Sequence, residues 1–189
     1  MATFDQIFRK NHININDAVK KSRTWFDQQS RMLAGKTIQP QRLIRTSVNQ
    51  NVLRIVPGEL YLFNYDAKHK DTLPLWDSFP LVFPFHKMPD GFIGLNMHYL
   101  PYQVRIALLD QLMSFKTTSN LDETTRLKLS WRTIRSLSSM DVAAHCVHRY
   151  LLQHVKSPFK RIDAPDWATA MMLPVERFVG GTKQQAWKI

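Results

Sequence analysis

Apolar positions are densest in the middle of the chain, between Pro57 and Met113. Eleven of the 21 Phe, Trp and Tyr residues and six of the ten prolines fall between Pro57 and Phe115. Aromatic side chains bury large apolar surfaces, and proline fixes the backbone dihedral φ. The pattern therefore predicts a rigid, irregular core here rather than a linker.

Strands are predicted at the start of this core and just before it. Residues 36–56 alternate apolar and polar positions, and the continuous apolar run from Leu60 to Phe63 is typical of a buried strand. The next run, LPLWDSFPLVFPF, contains Pro74, Pro80 and Pro84. Because proline cannot donate to a sheet ladder, this run predicts an edge strand or a polyproline-like segment.

Glycines after these strands predict a turn and a position of close backbone packing. Pro89-Asp90-Gly91 predicts a turn in which the aspartate bonds forward to the backbone and Gly91 takes a positive φ. Gly94 and Asn96 predict positions where the backbone turns or is closely approached.

Apolar residues at helical spacing predict helices before and after the core. They run from Asn16 to Gly35, from Pro101 to about Phe115, from Asp122 to about Met140, from about Asp141 to Val155, and from Trp167 to Met172. In the third, the pattern places Leu127, Trp131, Ile134 and Ser138 on one side, with Lys128, Arg132 and Arg135 beside them. Between the last two, residues 159–162 (FKRI) predict a short strand or sheet edge.

The predicted fold is therefore α+β, with a small antiparallel sheet or open β-barrel and proline-rich extended segments. An N-terminal helix and a C-terminal group of helices flank it. The expected organisation is an arm and helix over 1–35, a β-rich core ending in a helix over 36–115, a helical region over 116–179, and a basic tail over 180–189 with Gly180-Gly181 as its hinge.

Charge separates this core from its flanks. The formal net charge is +11 and the isoelectric point is about 10.0. The balance is +7 for residues 1–56, −2 for 57–115 and +6 for 116–189. Such an excess of positive charge favours a polyanionic partner, either nucleic acid or an acidic protein surface. Of the two, DNA is modestly favoured as the partner.

The cysteine count and the lengths of the apolar runs indicate the cellular compartment in which the protein is made. Cys146 is the single cysteine, so no internal disulfide can form, which is typical of a protein made in a reducing cytoplasm. No apolar run approaches the roughly 20 residues that span a bilayer. A soluble protein without a membrane partner is expected.

Motifs for catalysis or cofactors are absent from the sequence: it has no phosphate-binding glycine loop and no nucleophile elbow. On the predicted helix, His145, Cys146 and His148 supply at most one pair of metal ligands, so a packed cysteine is favoured. His69, His86 and His98 lie near Asp66, Asp71, Asp77 and Asp90, but turn and capping roles are favoured for these aspartates over a metal-dependent nuclease. We expect no enzyme, no cofactor, no metal and no small-molecule substrate.

Candidate DNA contacts are the clustered cations, which would meet phosphates without reading base sequence. They are Lys128, Arg132, Arg135, Lys156, Lys160 and Arg161, with Lys20 and Arg23 on the N-terminal helix, where a solvated face is favoured. Trp187, Trp76 and Tyr102 are candidate platforms for stacking bases at single strands or frayed ends.

The motif YDAKHKDTLPLWDSFPLV, followed by GFIGLNMHYLP, RLKLSW, HRYLLQHVKSPF and LPVERF, resembles the DNA end protector family of T4-like tailed phages. The resemblance covers roughly residues 57–179. It implies a non-enzymatic virion protein of head completion, assembled in the host cytoplasm, which binds the ends of the packaged linear double-stranded genome and shields them from host exonuclease after injection. Tyr65, Lys68, His69 and Lys70 match the motif, in either a functional or a structural role.

A second hypothesis stays open beside this one. The protein would be a structural subunit of the neck, head-tail joint or baseplate whose basic arms dock on neighbouring virion proteins. A nuclease that uses the central Asp and His residues is a third and weaker hypothesis.

Overall fold

The computed structural model describes residues 51–101, 104–105, 108–109, 111–112, 122–138, 141–163, 167–172 and 176–187. The predicted N-terminal helix, with Lys20 and Arg23, lies outside this part of the chain. So do the predicted strands over 36–50 and the candidate platform Tyr102.

An antiparallel sheet of six strands forms the centre of the fold, in the order β1-β7-β2-β4-β5-β6. The strands are β1 Asn51–Val52, β2 Leu60–Leu62, β4 Leu81–Met88, β5 Gly91–Asn96, β6 Val147–Leu151 and β7 Phe159–Ile162. A second, two-stranded sheet pairs β3 (Trp76–Asp77) with β8 (Phe178–Val179). The mixed α and β content with an antiparallel sheet confirms that part of the predicted fold class.

Helices cover this sheet. They are α1 Glu123–Ser138, α2 Asp141–Ala144, α3 Trp167–Met172 and α4 Lys183–Ala186. Residues 104–105, 108–109 and 111–112 are also helical, as predicted for the segment after Pro101. Short 3₁₀ helices occupy Met97–Tyr99 and Leu152–His154. None of the helices described here could span a lipid bilayer.

The two faces of the sheet carry different cores because successive side chains of a strand point to opposite faces. One face packs aliphatic side chains such as Leu60, Leu62 and Leu81 against helical residues that include Trp167. The other face, here called the aromatic face, is formed by Tyr61, Phe63, Val82, Phe92, Tyr150 and Phe159. Its rings meet mostly edge to face, for example Phe63 and Phe159 at 5.0 Å between centroids.

The prediction of an edge strand or polyproline segment around Pro84 is wrong, because Pro84 lies within β4, a central strand between β2 and β5. Two features accommodate it. β2 pairs with β4 only at Leu81 and Val82, so Pro84 lies beyond that ladder. On the β5 side, the register shifts between Pro84 and His86, which is a bulge where a missing N–H is tolerated.

The turn at Pro89-Asp90 is confirmed, but the predicted positive φ of Gly91 is wrong. Gly91 is the first residue of β5, and the described glycines with positive φ are Gly58 and Gly180. Glycine is needed at position 91 for a different reason. A Cβ there would lie 2.0 Å from the carbonyl oxygen of Tyr150 in the neighbouring strand. Gly94 does meet its prediction, since a Cβ there would lie 2.3 Å from Val82 Cγ1.

The predicted helix from Asp141 to Val155 is also wrong. Helix α2 ends at Ala144, and the chain then forms the edge strand β6, which pairs with β5 along its whole length. Ala143, Cys146 and Tyr150 are buried. The reason for the strand is long-range: pairing with β5 places Tyr150 in the aromatic face, stacked on Phe92 at 5.3 Å.

The C-terminal segment packs against the core through residue 187. Thr182 caps α4 in a capping box with Gln185, and Ala186 is fully buried. The Trp187 indole N–H donates to the carbonyl of His98 at 3.0 Å. Trp187, one of the candidate base platforms, is therefore held against the 3₁₀ helix Met97–Tyr99.

Candidate functional site

Helix α1 presents three exposed cations on one side. Lys128, Arg132 and Arg135 follow the spacing i, i+4, i+7 and are all exposed. We call this set the α1 basic face. Among the side chains of this helix that are described, Ser130, Thr133, Ile134 and Leu137 are buried, while Trp131 and Ser138 of the predicted stripe are only partly buried. The α1 basic face is thus free of the core and available to a partner.

Two contacts hold this helix in place. At its start, the Asp122 carboxylate accepts a hydrogen bond from the backbone N–H of Thr125 at 2.8 Å. In its middle, the Trp131 indole N–H donates to the carbonyl of Phe85 in β4 at 2.7 Å. The Arg135 guanidinium lies 5.1 Å from the centroid of the Trp131 ring, which fixes one cation of the α1 basic face.

The second predicted patch is divided by the sheet. Lys156 and Arg161 are exposed, and Arg161 Nε donates to Asp163 Oδ1 at 3.1 Å. Lys160 is only 5% exposed. Because alternate residues of β7 point to opposite faces, Lys160 points into the sheet's packing while Arg161 does not. Lys156 and Arg161 therefore remain as the exposed candidates of this patch.

The family motif folds into a turn beside the 3₁₀ helix Leu152–His154. Asp66 N–H donates to the His154 carbonyl at 3.0 Å, and His154 Nδ1 lies 2.9 Å from the Asp66 carbonyl oxygen. The His69 carbonyl accepts from the N–H groups of Thr72 and Leu73, which closes the turn. These bonds hold the motif by its backbone, so its side chains are left for other contacts.

The four matched motif residues take different positions in this turn. Tyr65 is structural: its ring packs against Tyr150 at 5.0 Å and its hydroxyl accepts from the Leu151 N–H. Lys68, His69 and Lys70 are exposed. The Lys70 ammonium pairs with Asp66 at 3.0 Å, whereas Lys68 and His69 face a cleft.

This cleft has a volume of about 370 Å³. It lies between the turn at residues 68–72, here called the motif turn, and the edge strand β6. Its exposed rim includes Lys68, His69 and Arg149. Aromatic side chains line it further in, namely Tyr65, Trp76, Tyr99 and Tyr150. Positive and aromatic groups thus share one concave surface.

A buried carboxylate lies in the cleft wall. Asp77 is 4% exposed and accepts from the N–H groups of Phe79 and Arg177, from Asn96 Nδ2 and from His98 Nδ1, the last at 2.6 Å. Burial raises the pKa of Asp77, but the interaction with His98 and these hydrogen bonds outweigh it and leave the pKa below its usual value. Asp77 therefore stays ionised and ties β3 to β5.

Strand β6 contributes two different polar groups. Arg149 at the rim donates to both carboxylate oxygens of Asp90, at 2.9 and 2.7 Å, and this bond holds the pKa of Asp90 below its usual value. Burial lowers the pKa of His148 to about 4, so its imidazole is neutral near pH ~7. The His148 Nε2 atom is buried and makes no hydrogen bond within the part of the chain that the structure describes.

Metal-binding groups do not converge in the part of the chain that the structure covers: no three His, Cys, Asp or Glu side chains lie together there. Cys146 is buried, and burial raises the pKa of its thiol to about 12. His69 and His86 are exposed, while His98 is buried against Asp77. Asp77 is thus a buried structural acceptor.

Sequence reasoning singled out Tyr65, Lys68, His69 and Trp76 but missed the role of His148 and Arg149. The sequence predicts a helix for these two residues, whereas they lie on β6 beside the motif. The available signal for β6 was residue type, since Val147 is β-branched and Tyr150 is aromatic, and both types are enriched in strands.

A family model described as "Phage T4 terminal DNA protecting protein" matches residues 1–189, the full length of the sequence. No curated protein matches the chain. No solved structure matches it either.

Proposed function

The chain belongs to the phage T4 terminal DNA protecting protein family, and from this membership we propose that it binds the ends of linear phage DNA and shields them from exonucleases. The match to the family model over the whole chain carries the proposal. The net charge of +11 supports it, because a strongly basic protein attracts a polyanion from a distance.

Phosphate contacts are the proposed mode of binding. The α1 basic face places Lys128, Arg132 and Arg135 along one side of a helix that is fixed to the sheet. Lysine and arginine side chains in such a row neutralise successive phosphates and release counterions, which favours binding without regard to base sequence. Lys156 and Arg161 form a second exposed patch for the same role.

Protection by this protein requires occupancy of the end and no covalent chemistry. An exonuclease starts at a terminus, so a protein bound there blocks its first step. We propose that the protein is not an enzyme, that it acts in the virion at head completion, and that it is assembled in the host cytoplasm. Other virion proteins are the expected neighbours of its remaining surfaces.

An exonuclease assay tests this function. Linear duplex is incubated with the purified full-length protein, then with a processive double-strand exonuclease, and the intact fraction is measured against time. We expect the intact fraction to rise with protein concentration and to fall as salt is raised, since phosphate contacts weaken with salt. Digestion at an unchanged rate under saturating protein would refute end protection.

The same preparation tests the nuclease alternative. Linear duplex is incubated with the protein and Mg²⁺ or Mn²⁺, without any exonuclease. We expect the DNA to stay intact with either ion. Strand cleavage that scales with protein concentration would instead support the metal-dependent hypothesis.

A further inference from the structure

We infer that the cleft between the motif turn and β6 binds the terminal nucleotide of a frayed DNA strand, with its base against Trp76 and its phosphate at Lys68. This inference rests on the proposed function and deepens it. It assigns recognition of the end itself to the cleft and leaves the double-stranded DNA behind the end to the α1 basic face.

The size and lining of the cleft fit one nucleotide. Its volume of about 370 Å³ lies at the small end of the range of ligand pockets, roughly 300–1,000 Å³. A base with its phosphate fits such a space, whereas an intact duplex does not. Aromatic rings that line a cleft accept any base, because every base has a π-face.

Trp76 has the features of a stacking platform. The indole N–H groups of Trp131, Trp167 and Trp187 each donate to a backbone carbonyl. The indole N–H of Trp76 has no acceptor among the described residues, and the side chain is only half-buried. Trp76 thus lines the cleft with a partly exposed side chain whose indole N–H no described residue engages, whereas the donors of Trp131, Trp167 and Trp187 are used by the fold.

His148 also has a polar atom at this site that lacks a hydrogen-bond partner among the described residues. Its Nε2 is buried, the residue lines the cleft, and no described residue forms a hydrogen bond with that atom. Buried polar atoms in folded proteins are nearly always bonded, to protein, water or ligand. A base edge or a bound water is the kind of group that would complete this site.

Charge at the rim favours a phosphate near Lys68. Lys68 and His69 are exposed and line the cleft. The opposing carboxylates are already engaged, since Asp90 is bonded to Arg149 and Asp77 accepts four hydrogen bonds. A terminal phosphate is therefore met by an exposed lysine rather than by an unpaired carboxylate.

Separate roles for the cleft and the α1 basic face explain how a protein that does not read base sequence can still bind DNA ends more tightly than internal DNA. The α1 basic face binds phosphates anywhere along a duplex. Only a terminus offers a nucleotide that leaves the stack at low cost, because unpaired bases need no base pair to be broken. A cleft for one such nucleotide converts general DNA binding into end binding.

Binding of the full-length protein to short duplexes of one sequence tests the inference, by fluorescence anisotropy. One duplex has both ends closed by hairpin loops. Three others have one open end with a short single-stranded overhang. The first overhang ends in a base and a 5′-phosphate, the second in an abasic residue with the phosphate, and the third in a base without the phosphate. We expect the first to bind about tenfold tighter than either of the other two.

The variant K68A/H69A removes the Lys68 ammonium and the His69 imidazole from the rim and leaves the backbone bonds of the turn in place. We expect it to bind the first overhang about tenfold more weakly and the closed duplex as wild type does. The matched control H86A/K87A removes the same two side-chain types from exposed positions outside the cleft. It is expected to behave as wild type on every duplex.

The outcomes separate the two proposals. If wild type binds the closed duplex as tightly as all open ones, the proposed end-binding function fails. In a second case, wild type prefers open ends with equal affinity for all three overhangs, and K68A/H69A binds as H86A/K87A does. That result excludes the cleft as the nucleotide site and leaves the end-binding function intact. Loss of preference in K68A/H69A alone supports the cleft.

Discussion

Replacing Asp77 by alanine is expected to destabilise the fold strongly. The carboxylate accepts four hydrogen bonds, from the backbone N–H groups of Phe79 and Arg177 and from the side chains of Asn96 and His98. Alanine leaves these donors without an acceptor in a site that is 4% exposed. Each unsatisfied buried donor costs about 1 kcal/mol, so we expect a loss of about 4 kcal/mol in the free energy of unfolding.

A graded series makes this magnitude testable. Asp77→Asn keeps an acceptor oxygen but no charge, so its loss should be about half as large. The control is Asp71→Ala, an exposed carboxylate of the same motif, for which the expected change is within about 0.5 kcal/mol. Urea unfolding at neutral pH, followed by tryptophan fluorescence, gives all three values. Equal midpoints for Asp77→Ala and Asp71→Ala would refute the structural role of Asp77.

Acid provides an independent check on the same residue. The pKa of folded Asp77 lies below its ordinary value of 3.8. A depressed carboxyl pKa contributes stability above the unfolded pKa, and that contribution is lost as pH falls through the folded pKa. The gap in unfolding free energy between wild type and Asp77→Asn should therefore be full near neutral pH and shrink below about pH 4. A gap that is constant down to strong acid would contradict the ionised assignment.

Three further predictions concern the rest of the molecule. Alanine at all three positions of the α1 basic face should make the fall of log affinity with log salt less steep by about 2.7. An unchanged slope would show that this helix does not contact DNA. Cys146, buried with its pKa raised to about 12, should react with a thiol reagent only when urea unfolds the protein, and rapid labelling of the folded chain would contradict its burial. Arg105→Met should cost about 3 kcal/mol in urea unfolding, because the guanidinium donates to the carbonyls of Leu100, Met171 and His98, and a wild-type midpoint would contradict that role.

Local patterns were sufficient where an element depends on its own residues. The buried run from Leu60 gives β2, and the helical spacing of apolar residues after Asp122 gives α1. The strand Phe159–Ile162 and the short helix Trp167–Met172 also match their patterns. In each case the signal lies within a few consecutive residues.

Local patterns failed where a distant strand decides the outcome. The segment Val147–Leu151 has spacing that suits a helix, but pairing with β5 makes it a strand. Pro84 disfavours a central strand locally, yet a register shift beside it removes the conflict. Such pairings depend on which segments meet in the folded chain, and no local window contains that information.

The cleft was beyond sequence reasoning for the same reason. Tyr65 and Leu151, which are hydrogen-bonded across its wall, lie 86 residues apart. The Asp77–His98 contact spans 21 residues and joins β3 to the 3₁₀ helix Met97–Tyr99. The motif indicated that residues 65–70 matter, whereas only the fold shows that they face β6.

Competition between DNA forms tests the central claim most directly. A labelled linear duplex bound to the protein is displaced by unlabelled linear DNA or by a covalently closed circle of the same sequence and length, at matched salt. If the protein recognises ends, linear DNA should displace the label at a much lower concentration than the circle does. Equal displacement by the two forms would contradict end recognition and leave only general binding to phosphates.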